Sequence, residues 1–229
     1  MVGWQKLLIE CKVKLGVEAV LPGILLVFTL LLVYLVFAVL PPAEGLGYYV
    51  RLAFFHIPAA WVSVLAFLVS AYYGARYLQK GDLYFDRLSS FSAALGLFFS
   101  ILATVSGAVF SKLTWGAYWN WDPRQTTIFV LLLIYGAYLT LRAVLPEERR
   151  RAKASAAYSL FSFLTVPFLV FIVPRMYFSL HPQPVLNSSG QIMMEPVMLW
   201  TLLGALLDMT GIYVWLLRRG TRGEERHDG

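Results

Sequence analysis

Cysteine is nearly absent from this chain: Cys11 is the only one in 229 residues. One thiol cannot close an internal disulfide or complete a CxxC or CxxCH motif. The chain is therefore not a thiol oxidoreductase, a cysteine-ligated iron–sulfur protein or itself a c-type cytochrome. Charge is scarce as well. Charged residues make up 14% of the chain and hydrophobic ones 59%, where a soluble domain carries roughly a quarter charged. No GxxxxGK motif followed by Ser or Thr occurs, which excludes ATP hydrolysis by a P-loop. Internal repeats, low-complexity tracts and an appended soluble domain are also missing. The net charge of +6 would fit nucleic acid in a polar chain, but in an apolar one it reads as a positive-inside bias.

What remains is long apolar runs. Six segments reach the length of about 20 residues that a bilayer core requires: 20–40, 51–74, 89–111, 126–145, 155–175 and 196–217. Each is expected to be helical, because only a helix satisfies its own backbone groups in lipid. The expected fold is all-α, a polytopic membrane protein of six transmembrane helices. With the N-terminus placed inside, fifteen of the nineteen lysines and arginines fall on that side. Only Arg51, Lys112, Arg124 and Arg175 lie outside, so both termini are read as cytoplasmic. Residues 1–18 read as an interfacial helix, with Trp4, Leu7, Leu8, Cys11 and Leu15 at helical spacing between lysines. The first apolar segment is too long for a signal-peptide core and is read as retained. Residues 19–217 then form the transmembrane domain, and 218–229 a polar, disordered tail.

Three of the seven tryptophans crowd into WGAYWNWDPRQ, residues 115–125, on the outer side between the third and fourth segments. Trp115, Trp119 and Trp121 suit an interfacial aromatic belt or the wall of a site for a flat ligand. If the stretch is helical, Trp115 and Trp119 share a face and Trp121 points elsewhere. Asp122 followed by Pro123 is a favoured helix start. Arg124 can pair with an anionic ligand or snorkel to headgroups. His56 lies about one and a half turns into the second segment, roughly 8 Å deep. An ionisable residue there is a functional candidate by default. Pro58 releases the carbonyl of Phe54, a candidate partner for that imidazole. His181 lies in the outer loop after the fifth segment, and His227 falls in the tail.

His56, His181 and the tryptophan loop thus map to one leaflet. Two imidazoles beside an aromatic, apolar surface suit a six-coordinate haem, with arginines for the propionates. Zinc fits poorly, since two histidines without a nearby cysteine, and with Asp122, Glu44 and Glu195 better explained elsewhere, make a weak tetrahedral set. Asp208, on the inner half of the sixth segment, should face the bundle and find a partner such as Thr104 or Ser106. It has no evident function.

W-G-A-Y-W-N-W-D, residues 115–122, resembles the tryptophan-rich WWD signature of the membrane proteins that handle haem in cytochrome c biogenesis, with Trp115, Gly116, Trp119, Trp121 and Asp122 in pattern. Residues 51–60, RLAFFHIPAA, and 177–182, YFSLHP, are similar to that family's two histidine segments. Six spans with one external histidine pair resemble the CcmC (haem exporter protein C) family of maturation system I. The larger CcmF and the system II synthetase have further spans and histidines. The resemblance implies that haem b is held at the outer face of a bacterial inner membrane by the loop 112–126. His56 and His181 would be its axial ligands. Trp115, Gly116, Tyr118, Trp119, Trp121, Asp122, Arg124 and Arg51 would surround it.

The same resemblance implies delivery of haem to CcmE, a periplasmic chaperone that takes it covalently through its own histidine. CcmA and CcmB form an ABC transporter that supplies the ATP-driven step, and CcmD helps bridge the complex. The chain itself would bind and deliver rather than catalyse, surrounded by membrane lipid and without a nucleic-acid partner. One departure stands out. The family often carries a tryptophan pair before the second histidine, where this chain has Met176, Tyr177, Phe178, Ser179 and Leu180. Two other readings are a membrane b-type cytochrome, which often pairs histidines at both leaflets, and a transporter permease. The inner half here has no histidine, and Asp208 is the only deep charge.

Overall fold

The computed structural model of the protein describes residues 19–181 and 194–225. The proposed interfacial helix at 1–18 and His227 lie outside the described residues. Among these residues, six helices are long and apolar enough to cross a membrane, in the number and order that hydropathy predicts. They are α1 (Ala19–Val39), α2 (Ala53–Lys80), α3 (Leu83–Trp115), α4 (Pro123–Val144), α5 (Glu148–Met176) and α6 (Pro196–Glu225). A 3-10 turn, Tyr48–Leu52, leads into α2. A π-turn closes α1 at Leu35–Val39, and another interrupts α5 at Phe168–Ile172.

The helix ends depart from the apolar segments. α3 has 33 residues, about 50 Å at 1.5 Å per residue, so it outruns a hydrocarbon core of roughly 30 Å. Its start is set by Gly81 in the left-handed region, which ends α2, and by Asp82, whose side chain accepts the amide of Tyr84. The basic run around Arg149, Arg150 and Arg151 is not a loop but the first turns of α5, and only 145–147 connect α4 to α5. Likewise α6 continues to Glu225, so the start of the expected disordered tail is helical. Hydropathy marks where lipid is, whereas a helix stops where a cap or a proline stops it.

α2 is the central helix, packed along α3 and also against α5 and α6. Small residues line these seams. Lipid tails give helices no hydrophobic reason to associate, so close backbone approach and interhelical hydrogen bonds decide. Gly74 of α2 meets α5 so closely that an added Cβ would fall 2.6 Å from Ser159 Oγ. Ser92 of α3 donates to the Ala66 carbonyl of α2 and shares a hydrogen bond with Tyr213 of α6, both at 2.7 Å. Ser89 reaches the Ser70 carbonyl at 2.8 Å.

At the end remote from the tryptophan loop, Arg142 of α4 donates two hydrogen bonds, 2.7 and 2.9 Å, to the buried carboxylate of Asp86 on α3. Nothing in the sequence pattern marks this pair. Asp208 also finds a different partner from those expected. Thr29 of α1 places its hydroxyl 2.7 Å from Oδ2, while Thr104 bonds back to Ser100 and Ser106 to Leu102 on their own helix.

Candidate functional site

The tryptophan loop is not helical. α3 ends at Trp115 because Gly116 takes φ 83° and its amide bonds back to Lys112, a glycine C-cap. Trp115 and Trp119 therefore do not share a helix face. Residues 116–122 are pinned between two helix ends instead. Ser111 of α3 donates to the Ala117 carbonyl at 2.7 Å and receives the side-chain amide of Asn120 at 2.7 Å. Gln125 of α4 accepts the Asn120 amide at 2.8 Å and donates to the Tyr118 carbonyl at 3.3 Å. Trp121 takes φ 55°, a left-handed conformation costing roughly 1–2 kcal/mol for a side chain with a Cβ. Asp122 then starts α4 as expected, accepting the amide of Arg124 at 2.9 Å, with Pro123 in the first turn.

The three indoles separate by environment. Trp119 lines a pocket and meets Trp121 edge to face at 5.9 Å. Trp121 itself is 71% exposed. Trp115 packs 5.4 Å from the ring of His181.

His56 of α2 lies against α3. Its Nδ1 is 2.9 Å from the Ala103 carbonyl and 3.1 Å from Ser106 Oγ. A carbonyl only accepts, so Nδ1 carries the proton and Nε2 keeps its lone pair. The tie is across helices to Ala103, not to the Phe54 carbonyl freed by Pro58. Gly107 makes the fit: a Cβ there would lie 2.9 Å from His56 Cε1.

His181 approaches from the segment after α5, with Nδ1 3.3 Å from Asp122 Oδ1, close but not aligned for a hydrogen bond. Burial, reinforced by the Arg124 charge, pushes the imidazole down to about 4 against the pull of Asp122, so it is neutral at pH 7. Asp122 shifts down too. Burial would raise its carboxyl, but hydrogen bonds from the amides of Arg124 and Leu180 and from the Ser179 hydroxyl outweigh it and keep it ionised.

The pocket brings these parts together. It is open on one side, and His56, Gly107, Trp119, Arg124, Gln125 and His181 are among its lining. Arg124 keeps a buried Nε with no hydrogen-bond partner among the described residues, a donor free for an anion. Thr127 and Gln125 are lining residues that the sequence pattern does not single out, and Thr104, expected beside Asp208, lines the pocket instead. Six expected contributors stand outside the lining: Trp115, Trp121 and Asp122, placed above, and Gly116, Tyr118 and Arg51. Gly116 is the cap of α3, Tyr118 is exposed under the Lys112 ammonium, and Arg51 lies 4.4 Å over Tyr48 and 5.8 Å over Phe37. An apolar, aromatic cavity with two unprotonated nitrogens and one unpaired guanidinium can hold a flat, anionic ligand that takes nitrogen donors.

The chain is similar to known proteins over most of its length. The family model described as CcmC, Heme exporter protein C, matches residues 11–226. The Heme exporter protein C of Bradyrhizobium diazoefficiens is 27% identical over 81% of this chain and 73% of its own. A ccmC-like mitochondrial protein of cytochrome c biosynthesis from Marchantia polymorpha is 26% identical over 87% of this chain and 86% of its own. The cytochrome c biogenesis protein CcsA of Arabidopsis thaliana is 33% identical over 48% of this chain and 31% of its own.

Proposed function

This chain belongs to the haem exporter protein C family and has a role in cytochrome c maturation, and from that premise we propose that it holds haem b between His56 and His181 and hands it to the chaperone CcmE. The observation that carries the reading is the pocket itself, where two imidazoles from distant parts of the chain line one cavity with Trp119 and Arg124. The residues fit the group. His56 has Nδ1 committed to a carbonyl, which leaves Nε2 for iron. Trp119 supplies a flat wall, and the unpaired Arg124 Nε suits a propionate. Bound haem supplies an iron that takes two axial nitrogens. The chain's own residues orient those nitrogens and shield the ring from water.

By the charge bias, the pocket faces the periplasmic side of a bacterial inner membrane. CcmE would meet it there, with CcmD and the CcmA/CcmB transporter, which supplies ATP hydrolysis, as the remaining partners. Tyr118 and Trp121 are exposed at that end. The chain then acts by binding and delivery rather than by bond-making. The test is the absorption spectrum of protein purified from a haem-replete host. A low-spin b-type spectrum is expected, together with CcmE capture that depends on both histidines. Wild-type protein without haem, or a His56→Ala, His181→Ala variant with an unchanged low-spin spectrum, rejects the assignment.

A further inference from the structure

The segment that carries His181 has little to hold it. Met176, Tyr177 and Phe178 are exposed, Phe178 at 88%, and the backbone from 177 is extended or bent rather than helical. Its polar contacts converge on one carboxylate. Ser179 donates its hydroxyl to Asp122, 2.9 Å from Oδ2, and the Leu180 amide donates to the same oxygen at 2.7 Å. The His181 amide donates to Ser179 Oγ at 3.2 Å, and its ring Nδ1 faces Oδ1. Asp122 is 4% exposed and does not line the pocket.

The geometry points to Asp122 as a positioning residue: it latches the segment 179–181 onto the start of α4 and so aims the second imidazole into the pocket, without touching the ligand itself. This rests on the haem reading above for its consequence, but not for the latch. An ionised carboxylate has about four acceptor positions. The Arg124 amide, the Ser179 hydroxyl and the Leu180 amide take three of them, and the fourth faces Nδ1. A proton on Nδ1 leaves Nε2 as the donor nitrogen, the carboxylate–histidine arrangement of many metal sites. One side chain therefore starts α4 and sets the second ligand.

Asp122→Ser separates these roles, because serine still caps a helix but is too short to reach Ser179 and Leu180. In the full-length protein in detergent, hydrogen–deuterium exchange across 176–181 should speed up by on the order of tenfold, as expected for losing hydrogen bonds to a charged group. Unchanged exchange overturns the latch. In haem titrations, Asp122→Ser should weaken binding by about 10–100-fold and admit a high-spin fraction, with Asp122→Asn in between. His181→Gly with added imidazole supplies the second ligand from solution. In that background, Asp122→Ser should have less than about a twofold effect, since the residue it positions is gone. A full-sized effect there means that Asp122 acts on the ligand directly, which overturns the proposal. Faster exchange in Asp122→Ser, with a wild type that takes up no haem, rejects the haem reading and leaves the latch standing.

Discussion

His56 sits on a 28-residue helix, packed against α3 with Nδ1 on the Ala103 carbonyl and with Gly107 shaped to its ring. His181 lies on an irregular, exposed segment and faces the pocket by virtue of Asp122, Ser179 and the indole of Trp115. The first imidazole is oriented by the core of the bundle, so moving it means moving two helices. The second is oriented by a few hydrogen bonds to one side chain, so it can move without disturbing any span. On the haem reading, such an asymmetry would suit a site that takes up a large planar cofactor and then gives it away, with one fixed ligand and one free to swing.

Removing the imidazoles breaks the comparison most severely. On the haem reading, His56→Ala should lower haem recovery by about 100-fold or more, beyond the 10–100-fold typical of losing a metal ligand's outer partner. His181→Ala should lose the low-spin spectrum as well, but added imidazole should restore it, because the exposed segment leaves a route for a small ligand. The slot left by His56 is closed by α3 and should respond much less. Equal rescue at both positions would erase the distinction between a fixed and a swinging ligand.

Gly107→Ala tests the fixed side alone. The new methyl would sit 2.9 Å from Cε1 and 3.4 Å from Nδ1 of His56, so the ring must turn or the helices must part. Haem affinity should drop by about tenfold. Alanine in mid-helix gains roughly 0.5–1 kcal/mol over glycine, so thermal stability should hold or rise while binding falls. Falling stability together with intact binding would mean that the ring has more freedom than its packing implies.

The number of spans is legible in the sequence because lipid imposes length and apolarity on each helix separately. Where a helix is ended by a local signal, the signal is in the sequence too. Asp122–Pro123 was readable as a start. Gly116, directly after Trp115, was readable as a stop, although the spacing of Trp115 and Trp119 invites a helix through it. Contacts between segments are another matter. That His56 would choose Ala103 over Phe54, Asp208 would choose Thr29, and Asp86 would pair with Arg142 56 positions away depends on how α1, α2, α3, α4 and α6 face one another. Periodicity does not encode that. The latch is a mixed case. Asp122 is visible as a cap, but its second set of donors comes from 179–181, and only the fold puts them beside it.

The smallest effect gives the sharpest contrast, because each histidine has one serine hydroxyl beside it. Ser106 Oγ is 3.1 Å from His56 Nδ1, but it also bonds back to Leu102 at 2.8 Å, and His56 keeps the Ala103 carbonyl without it. Ser106→Ala should therefore change haem affinity by less than about twofold. Ser179 bridges the Asp122 carboxylate and the His181 amide, so Ser179→Ala leaves the Leu180 amide as the main tie. Losing one such hydrogen bond costs about 1 kcal/mol, or roughly fivefold, and in an exposed segment little packing stands ready to absorb it. The expected result is a weaker, partly high-spin site in Ser179→Ala beside a near-normal one in Ser106→Ala, measured in the same titration. If the two serines behave alike, the segment around His181 is held as firmly as α2, and the asymmetry does not reach the ligands.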